Sequence, residues 1–279
     1  MFTLYHYTNF AGLYGMLKDF DSEKHPYLTM WATNASFLND NSEYTFGQKV
    51  CWDAFGLYEA MNNIPDEKCI VNGYGYKGVI QKDKLNNTPC IVSFSATKNN
   101  ASMWEMYSMN GNGVAIIFDG EKLENVEKRV SFSPCIYCSN EHDLMEYDEL
   151  MKNTYEHYAH KMSFTGSEKN NPSIDIERIG RSLALLISMS PRIKHSSYEY
   201  ENEFRLIRRG TDCPKFRIRK DIIIPYKEIF IPIDAVKGFI IGPTADFDYI
   251  YSSLEIFLAS KGLSELDSCI VKSEVPYRG

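Results

Sequence analysis

The order of β-type and helical patterns along the chain constrains its fold more than any other feature. Apolar and β-branched runs occupy both ends, with Phe2–Tyr7 at the start and Val236–Ile241 and Ser268–Val271 near the end, and such runs are typical of strands. Helical spacing dominates the middle, in Leu144–Met162 and Ile174–Met189. This order predicts an α+β fold: a mixed, largely antiparallel sheet with packed helices and a central helical insertion.

Neither a repeat nor a low-complexity linker divides the 279 residues. We therefore predict a single domain over residues 1–279, in which residues 142–190 form the helical insertion or lobe. Residues 62–88 hold three glycines and many polar residues and are predicted to be loop with a short helix. The other predicted strands are Leu28–Thr33, Pro89–Ala96, Val114–Phe118, Arg129–Tyr137, Tyr200–Ile207, Phe216–Ile224 and Glu228–Ile231, and the other helices start after a Thr8 or Asn9 cap, start at Ser42, or span Ser102–Met109 and Tyr249–Ser260.

Composition excludes several classes of protein. An aromatic content of 14% rules out intrinsic disorder, and a net charge of −7 argues against broad nucleic-acid binding through net charge. Seven scattered cysteines predict reduced thiols, and the first ten residues do not resemble a secretory signal. No apolar run approaches the roughly 18 residues of a membrane span. We therefore expect a cytoplasmic protein without a membrane partner. Cys135-x-x-Cys138 with His142 resembles half a zinc site, but a second ligand pair is missing, so no metal is predicted.

The segment Tyr198–Ile207 carries the densest group of charged residues that point to chemistry. As a strand it places Glu201, Glu203 and Arg205 on one face. A carboxylate beside a guanidinium stays ionised, and it can bind a hydroxyl or stabilise a developing positive charge. The alternative is a solvated face with a local ion pair of little energetic value.

His6 is the second candidate, because it lies at the end of a strand just before a helix cap. Free backbone N–H groups at a helix start make this a common place for a ligand. The alternative is a buried histidine that is hydrogen-bonded within the core. Glycine-rich phosphate loops, HExxH and GxSxG motifs do not occur in the sequence.

Several short motifs run in order across nearly the whole chain. They are Leu4–Thr8, Leu28–Glu43 with Trp31 and Asn39-Asp40, Ser93–Ser95, Met103-Trp104 with Tyr107, Gly113-Val114, Lys194-His195, Glu201-x-Glu203-Phe204-Arg205-Leu206, Gly242-Pro243 and Ser273–Arg278. On these motifs the chain resembles the bacterial family known as domain of unknown function 2971. Phe204 departs from the family, which often has Trp there. The resemblance does not imply an activity.

A second resemblance concerns the opening of the chain. His6–Asn9, followed by Leu13 and Leu17, is similar to the first strand and helix of ADP-ribosyltransferases. This resemblance implies that the first-strand histidine binds the ribose of NAD and that an aromatic side chain stacks on nicotinamide. It also implies that a late glutamate bonds the ribose 2′-OH and stabilises an oxocarbenium-like transition state. When these roles are transferred to this chain, the catalytic candidates are His6 and Glu203.

NAD is the cofactor that this interpretation implies. The residues expected to contact it are His6, Tyr7, Thr8, Asn39, Trp104, Lys194, Arg205 and Arg278. The sequence does not determine which tyrosine stacks on the ligand; the candidates are Tyr7, Tyr44 and Tyr107.

Three hypotheses about function remain open. The first is an ADP-ribosyltransferase or NAD glycohydrolase, with protein or nucleic acid as the acceptor. The second is a toxin-like effector enzyme acting on a nucleotide within DNA or RNA, for which Lys194, His195, Arg208 and Arg209 supply local positive charge. The third is a non-catalytic nucleotide-sensing or partner-binding module whose polar residues order the fold. The NAD hypothesis requires His6 and Glu203 to meet in one cleft.

Overall fold

A computed structural model describes residues 2–40, 42–71, 88–159, 172–210, 212, 214–219 and 221–276. Its helices are α1 (Phe10–Leu17), α2 (Glu43–Met61), α3 (Ala101–Tyr107), α4 (Glu141–Met145), α5 (Asp148–Ala159), α6 (Pro172–Met189) and α7 (Phe247–Ser260). Its strands are β1 (Thr3–Thr8), β2 (Tyr27–Asn34), β3 (Cys90–Ser95), β4 (Val114–Asp119), β5 (Val130–Pro134), β6 (Ile136–Cys138), β7 (Ile193–His195), β8 (Glu203–Arg208), β9 (Lys215–Arg219), β10 (Ile222–Pro232), β11 (Val236–Ile241) and β12 (Ile270–Lys272).

A large mixed sheet forms the centre of the fold. Its main path runs β12-β11-β4-β1-β3-β2-β10-β9, and β8 pairs with both β3 and β5. The pairing of β11 with β12 is parallel, whereas the other pairs in this sheet are antiparallel. Strands β6 and β7 form a separate parallel pair. The predicted α+β class, with a mixed and largely antiparallel sheet, is confirmed.

The largest hydrophobic core packs against this sheet, and a second large core lies among the helices. The larger one lies between one face of the sheet and helices α1 and α7, and it buries Leu4, Phe94 and Phe239 completely. The second core joins α2 to helices α4, α5 and α6, around side chains such as Phe55 and Leu186. The helices of the predicted 142–190 lobe therefore pack together against α2. The assignment of residues 1–279 to one domain stays a prediction.

Several predicted elements differ in their limits. Residues 129–137 divide at Cys135 into β5 and β6, which belong to different sheets. Residues 216–224 turn back at Asp221, whose φ of 63° is left-handed, so that β9 and β10 form a hairpin. The predicted helix 144–162 is broken between α4 and α5, and its last residues lie outside the described part. Apolar periodicity continues through these breaks, so it does not reveal them.

The strand predicted at Tyr200–Ile207 begins only at Glu203. Ser196–Glu201 forms a 3-10 turn, and Asn202 takes the left-handed conformation with φ 43° and ψ 56°. The Asn202 side chain donates a hydrogen bond to Thr97 Oγ1 at 3.1 Å, which holds this turn against the end of β3. Asparagine tolerates the left-handed region because its short polar side chain bonds locally. Glu201 therefore lies on a turn and not on the strand.

Candidate functional site

Five charged side chains meet where the sheet faces α2 and β7. They are Glu43, Lys194, Glu201, Glu203 and Arg205, named here the ion cluster, and each is at most 9% exposed. Glu43 is the first residue of α2, and Lys194 lies in β7. Glu203 and Arg205 point to the same face of β8 because side chains alternate along a strand. The cluster joins the start of α2 to residues 194–205, which are distant from it in sequence.

Hydrogen bonds occupy both oxygens of Glu203. Lys194 Nζ donates to Glu203 Oε2 at 2.7 Å and to Glu201 Oε2 at 2.6 Å. Arg205 donates from Nε to Glu203 Oε1 at 2.7 Å and from Nη2 to Oε2 at 3.0 Å. The same guanidinium also donates to the Glu43 carboxylate and, at 2.7 Å, to the Pro191 carbonyl. Glu203 is therefore held in place and shielded from solvent.

Two carboxylates of the ion cluster have pKa values that are shifted in opposite directions. Burial alone would raise the pKa of Glu203, but the charges of Arg205 and Lys194 and their hydrogen bonds outweigh it and lower that pKa to about 2. Burial raises the pKa of Glu201, and the neighbouring carboxylates of Glu203 and Glu43 add to this. The buried Glu201 Oε1 has no hydrogen-bond partner in the described part of the chain. Three carboxylates face two cations, so the cluster is one positive charge short.

His6 does not join Glu203 in one cleft, so the predicted convergence of the two side chains is wrong. The register pairs Tyr5 with Ser95 and Ser95 with Glu203. Residues that pair across antiparallel strands point to the same face, so Tyr5 lies on the face of Glu203. Side chains alternate along β1, which places His6 on the opposite face with Leu4. The local patterns were right, but the registers between distant strands decided the faces.

The imidazole of His6 is neutral and has a fixed tautomer. Its Nδ1 lies 2.9 Å from the Ser93 carbonyl oxygen, which only accepts, so Nδ1 carries the proton. Burial lowers the pKa of His6 to about 4. The hydrogen bond to Ser93 acts in the opposite direction and raises this pKa, whereas the charge of Arg217 lowers it further. Nε2 is therefore left as an acceptor at neutral pH.

Arg217 brings together a second group of residues, named here the Arg217 site: Trp31, Thr33, Arg217 and Tyr226. Arg217 Nη2 donates to Thr33 Oγ1 at 2.7 Å. The guanidinium carbon lies 5.5 Å from the centre of the Trp31 ring and 5.8 Å from that of Tyr226. Its Nε is buried without a hydrogen-bond partner among the described residues.

The Arg217 site carries positive charge without an acidic partner in the described residues. Burial lowers the pKa of Arg217, and the nearby charge of Arg219 lowers it further. Among the described residues, neither Arg217 nor Arg219 forms a salt bridge with a carboxylate. Arg217 is half-buried, and cations that are withdrawn from water in proteins are normally paired, so this site suits an anion.

The other residues predicted to contact NAD lie in different parts of the fold. Trp104 is fully buried and packs edge-on against Tyr7, with ring centres 4.9 Å apart. The Tyr7 hydroxyl donates to the Thr97 carbonyl, and Thr8 ends β1 half-buried. Asn39 is exposed on the loop before α2. Arg278 lies outside the described residues.

Sequence reasoning missed the roles of Glu43 and Arg217. Glu43 has the ordinary pattern of an acidic residue in the first turn of a helix, so its contact with Arg205 was not foreseen. A signal for Arg217 was present in β9, where Lys215, Arg217 and Arg219 alternate with apolar residues. Three cations on one strand face indicate an anion-binding surface more specifically than a single arginine does.

Comparison with known proteins identifies one family. Residues 103–206 match the family described as protein of unknown function (DUF2971), and neither a curated protein nor a solved structure matches the chain. This confirms the family resemblance inferred from the sequence, whereas the resemblance to ADP-ribosyltransferases receives no support. The matched segment includes Trp104, Lys194, Glu203 and Arg205, and His6 precedes it.

Neither a cluster of metal ligands nor a membrane-spanning helix is found among the described residues. Within the described ranges, no group of three or more His, Cys, Asp or Glu side chains is arranged to hold a metal ion. Cys135 and Cys138 are buried free thiols. No described helix has the length and apolar character needed to span a membrane.

Proposed function

We propose that this chain, a DUF2971 protein over residues 103–206, is a nucleotide-binding protein whose ligand lies at the Arg217 site. The observation that carries the proposal is the half-buried guanidinium of Arg217, whose buried Nε has no hydrogen-bond partner and which lacks an acidic partner among the described residues. Removing a cation from water without a counter-charge is unfavourable, and a bound phosphate would supply that charge.

The neighbours of Arg217 suit the other parts of a nucleotide. Guanidinium groups bind phosphate through paired N–H groups, and the free Nε of Arg217 is one such donor. The half-buried Trp31 offers an aromatic surface beside these groups. In this proposal the ion cluster orders the fold, as in the third hypothesis from the sequence.

ADP-ribosyl transfer or NAD glycohydrolysis is the second candidate. It is favoured by the low pKa of Glu203, because a stabiliser of an oxocarbenium ion must be ionised. It is disfavoured by the 3% exposure of Glu203, by the hydrogen bonds to both carboxylate oxygens, and by the position of His6 on the other face. Binding at the Arg217 site does not require access to Glu203.

Calorimetric titration with ADP, ATP and NAD tests the binding proposal. We expect at least one of these nucleotides to bind the wild-type chain, and Arg217→Gln to weaken it by about 10- to 100-fold, the effect of losing a charged hydrogen bond. Arg129→Gln is the control, because Arg129 is exposed and lies outside the Arg217 site. The proposal fails if none of the three nucleotides binds, or if Arg217→Gln binds as tightly as the wild type.

Chromatographic detection of nicotinamide, after incubation with NAD, separates the two candidates. Release by the wild type that is abolished in a folded Glu203→Gln variant would establish the enzyme hypothesis. Nucleotide binding without nicotinamide release would leave binding as the function.

A further inference from the structure

A groove of about 940 Å³ opens beside the start of β1. Its floor is built from the rings of Phe2, Phe132 and Phe204, whose centres lie 5.6 to 6.3 Å apart with interplanar angles of 23° to 38°. A volume of this size matches the pockets of about 300 to 1,000 Å³ that hold small organic ligands. The groove shares no lining residue with the Arg217 site.

The polar groups along the groove are few and lie at its walls. Tyr5 and Ser133 line it, and the Tyr5 hydroxyl can both donate and accept hydrogen bonds. A few polar groups above an apolar floor are typical of small-molecule sites.

Charge determines the class of ligand. Among the described residues that line the groove, one has a charged side chain. It is Glu124, which is exposed at the rim. The faces of phenyl rings carry negative potential and attract cations, and a carboxylate at the rim does the same. A nucleotide phosphate would be repelled here, whereas a protonated amine would be attracted.

We propose that this groove binds an arylalkylamine, with its aromatic ring over Phe2, Phe132 and Phe204 and its ammonium group near Glu124. This inference does not depend on nucleotide binding at the Arg217 site. Failure at one site therefore says nothing about the other.

Three related indoles test the proposal by calorimetry and ligand-detected NMR. Tryptamine is cationic, 3-methylindole is neutral and indole-3-acetate is anionic, and all three carry the same ring. We expect affinity to fall in that order. Glu124→Gln should weaken tryptamine about two- to fivefold, the effect of losing an exposed ion pair, and leave 3-methylindole unchanged. Glu105→Gln is the control, because Glu105 is exposed and does not line the groove.

Ala96→Trp tests the location of the site without touching its aromatic floor. Ala96 is exposed and lines the groove, so an indole side chain there is expected to occupy the space and abolish tryptamine binding. Circular dichroism confirms that the variant is folded. The proposal is overturned if tryptamine does not bind at millimolar concentration, if it still binds to a folded Ala96→Trp variant, or if indole-3-acetate binds equally well.

Discussion

Replacing Lys194 by methionine removes one cation from the ion cluster and keeps most of the volume of the side chain. The Lys194 ammonium bonds Glu201 and Glu203, at 2.6 and 2.7 Å, and lies 3.8 Å from a Glu43 oxygen. With three carboxylates and two cations, the formal charge of the cluster is 2 − 3 = −1. The substitution changes this charge to 1 − 3 = −2 within packing that excludes water.

The expected loss of stability is large. Removing one partner of a buried ion pair typically costs about 3–5 kcal/mol, because the other charge is left buried without compensation. A natural domain has a free energy of unfolding of about 5–15 kcal/mol, so Lys194→Met should leave a protein close to its stability limit. The lost charge of Lys194 is best compensated by neutralising Glu201, since burial already raises the pKa of this carboxylate. We expect Lys194→Met/Glu201→Gln, which restores the charge of −1, to recover part of the loss.

Urea unfolding followed by circular dichroism and tryptophan fluorescence measures these changes. Lys215→Met is the matched control, because Lys215 forms a 2.7 Å ion pair with Glu228 but its side chain is 62% exposed. Exposed pairs contribute about 1 kcal/mol or less, so this variant should lose little. A loss below about 1 kcal/mol for Lys194→Met, or a double variant less stable than Lys194→Met, would refute the view of the cluster as a buried structural network.

Two further predictions concern backbone geometry and pH. Gly238→Ala should lower the free energy of unfolding by about 2–3 kcal/mol, because φ is 150° at this residue and an added Cβ would lie 2.4 Å from the Cys269 carbonyl oxygen. Gly180→Ala in α6 is the control. An added Cβ meets open space there, so this variant should be more stable than the wild type by about 0.5–1 kcal/mol. The pKa of Glu203 falls from 4.5 to about 2 on folding, so its contribution to stability is present above pH 4.5 and lost as the pH falls towards 2. Glu201, whose pKa is raised, acts in the opposite sense. Urea unfolding between pH 5 and 2 should therefore show a smaller loss for Glu203→Gln than for the wild type, and equal losses would contradict the low pKa.

Local patterns predicted most of the regular elements because helical and strand periodicities depend on neighbours in sequence. The strand Val236–Ile241 has the predicted limits, and Asn9 caps α1 by accepting a hydrogen bond from the Gly12 amide. The charged character of the Glu203 segment and the family resemblance were also visible in the sequence. Turns such as that at Asn202 were missed, because a single left-handed residue leaves the surrounding apolar pattern intact.

The tertiary structure decided which of these residues meet. Alternation along a strand shows that Glu203 and Arg205 share a face, but it does not relate that face to the face of His6, nearly 200 residues away. That relation depends on the registers of β1 with β3 and of β3 with β8, which are set by long-range pairing. In the same way, Arg217 meets Thr33 across 184 residues. Local sequence thus determined the elements and their chemical character, whereas strand pairing over long separations determined the composition of each candidate site.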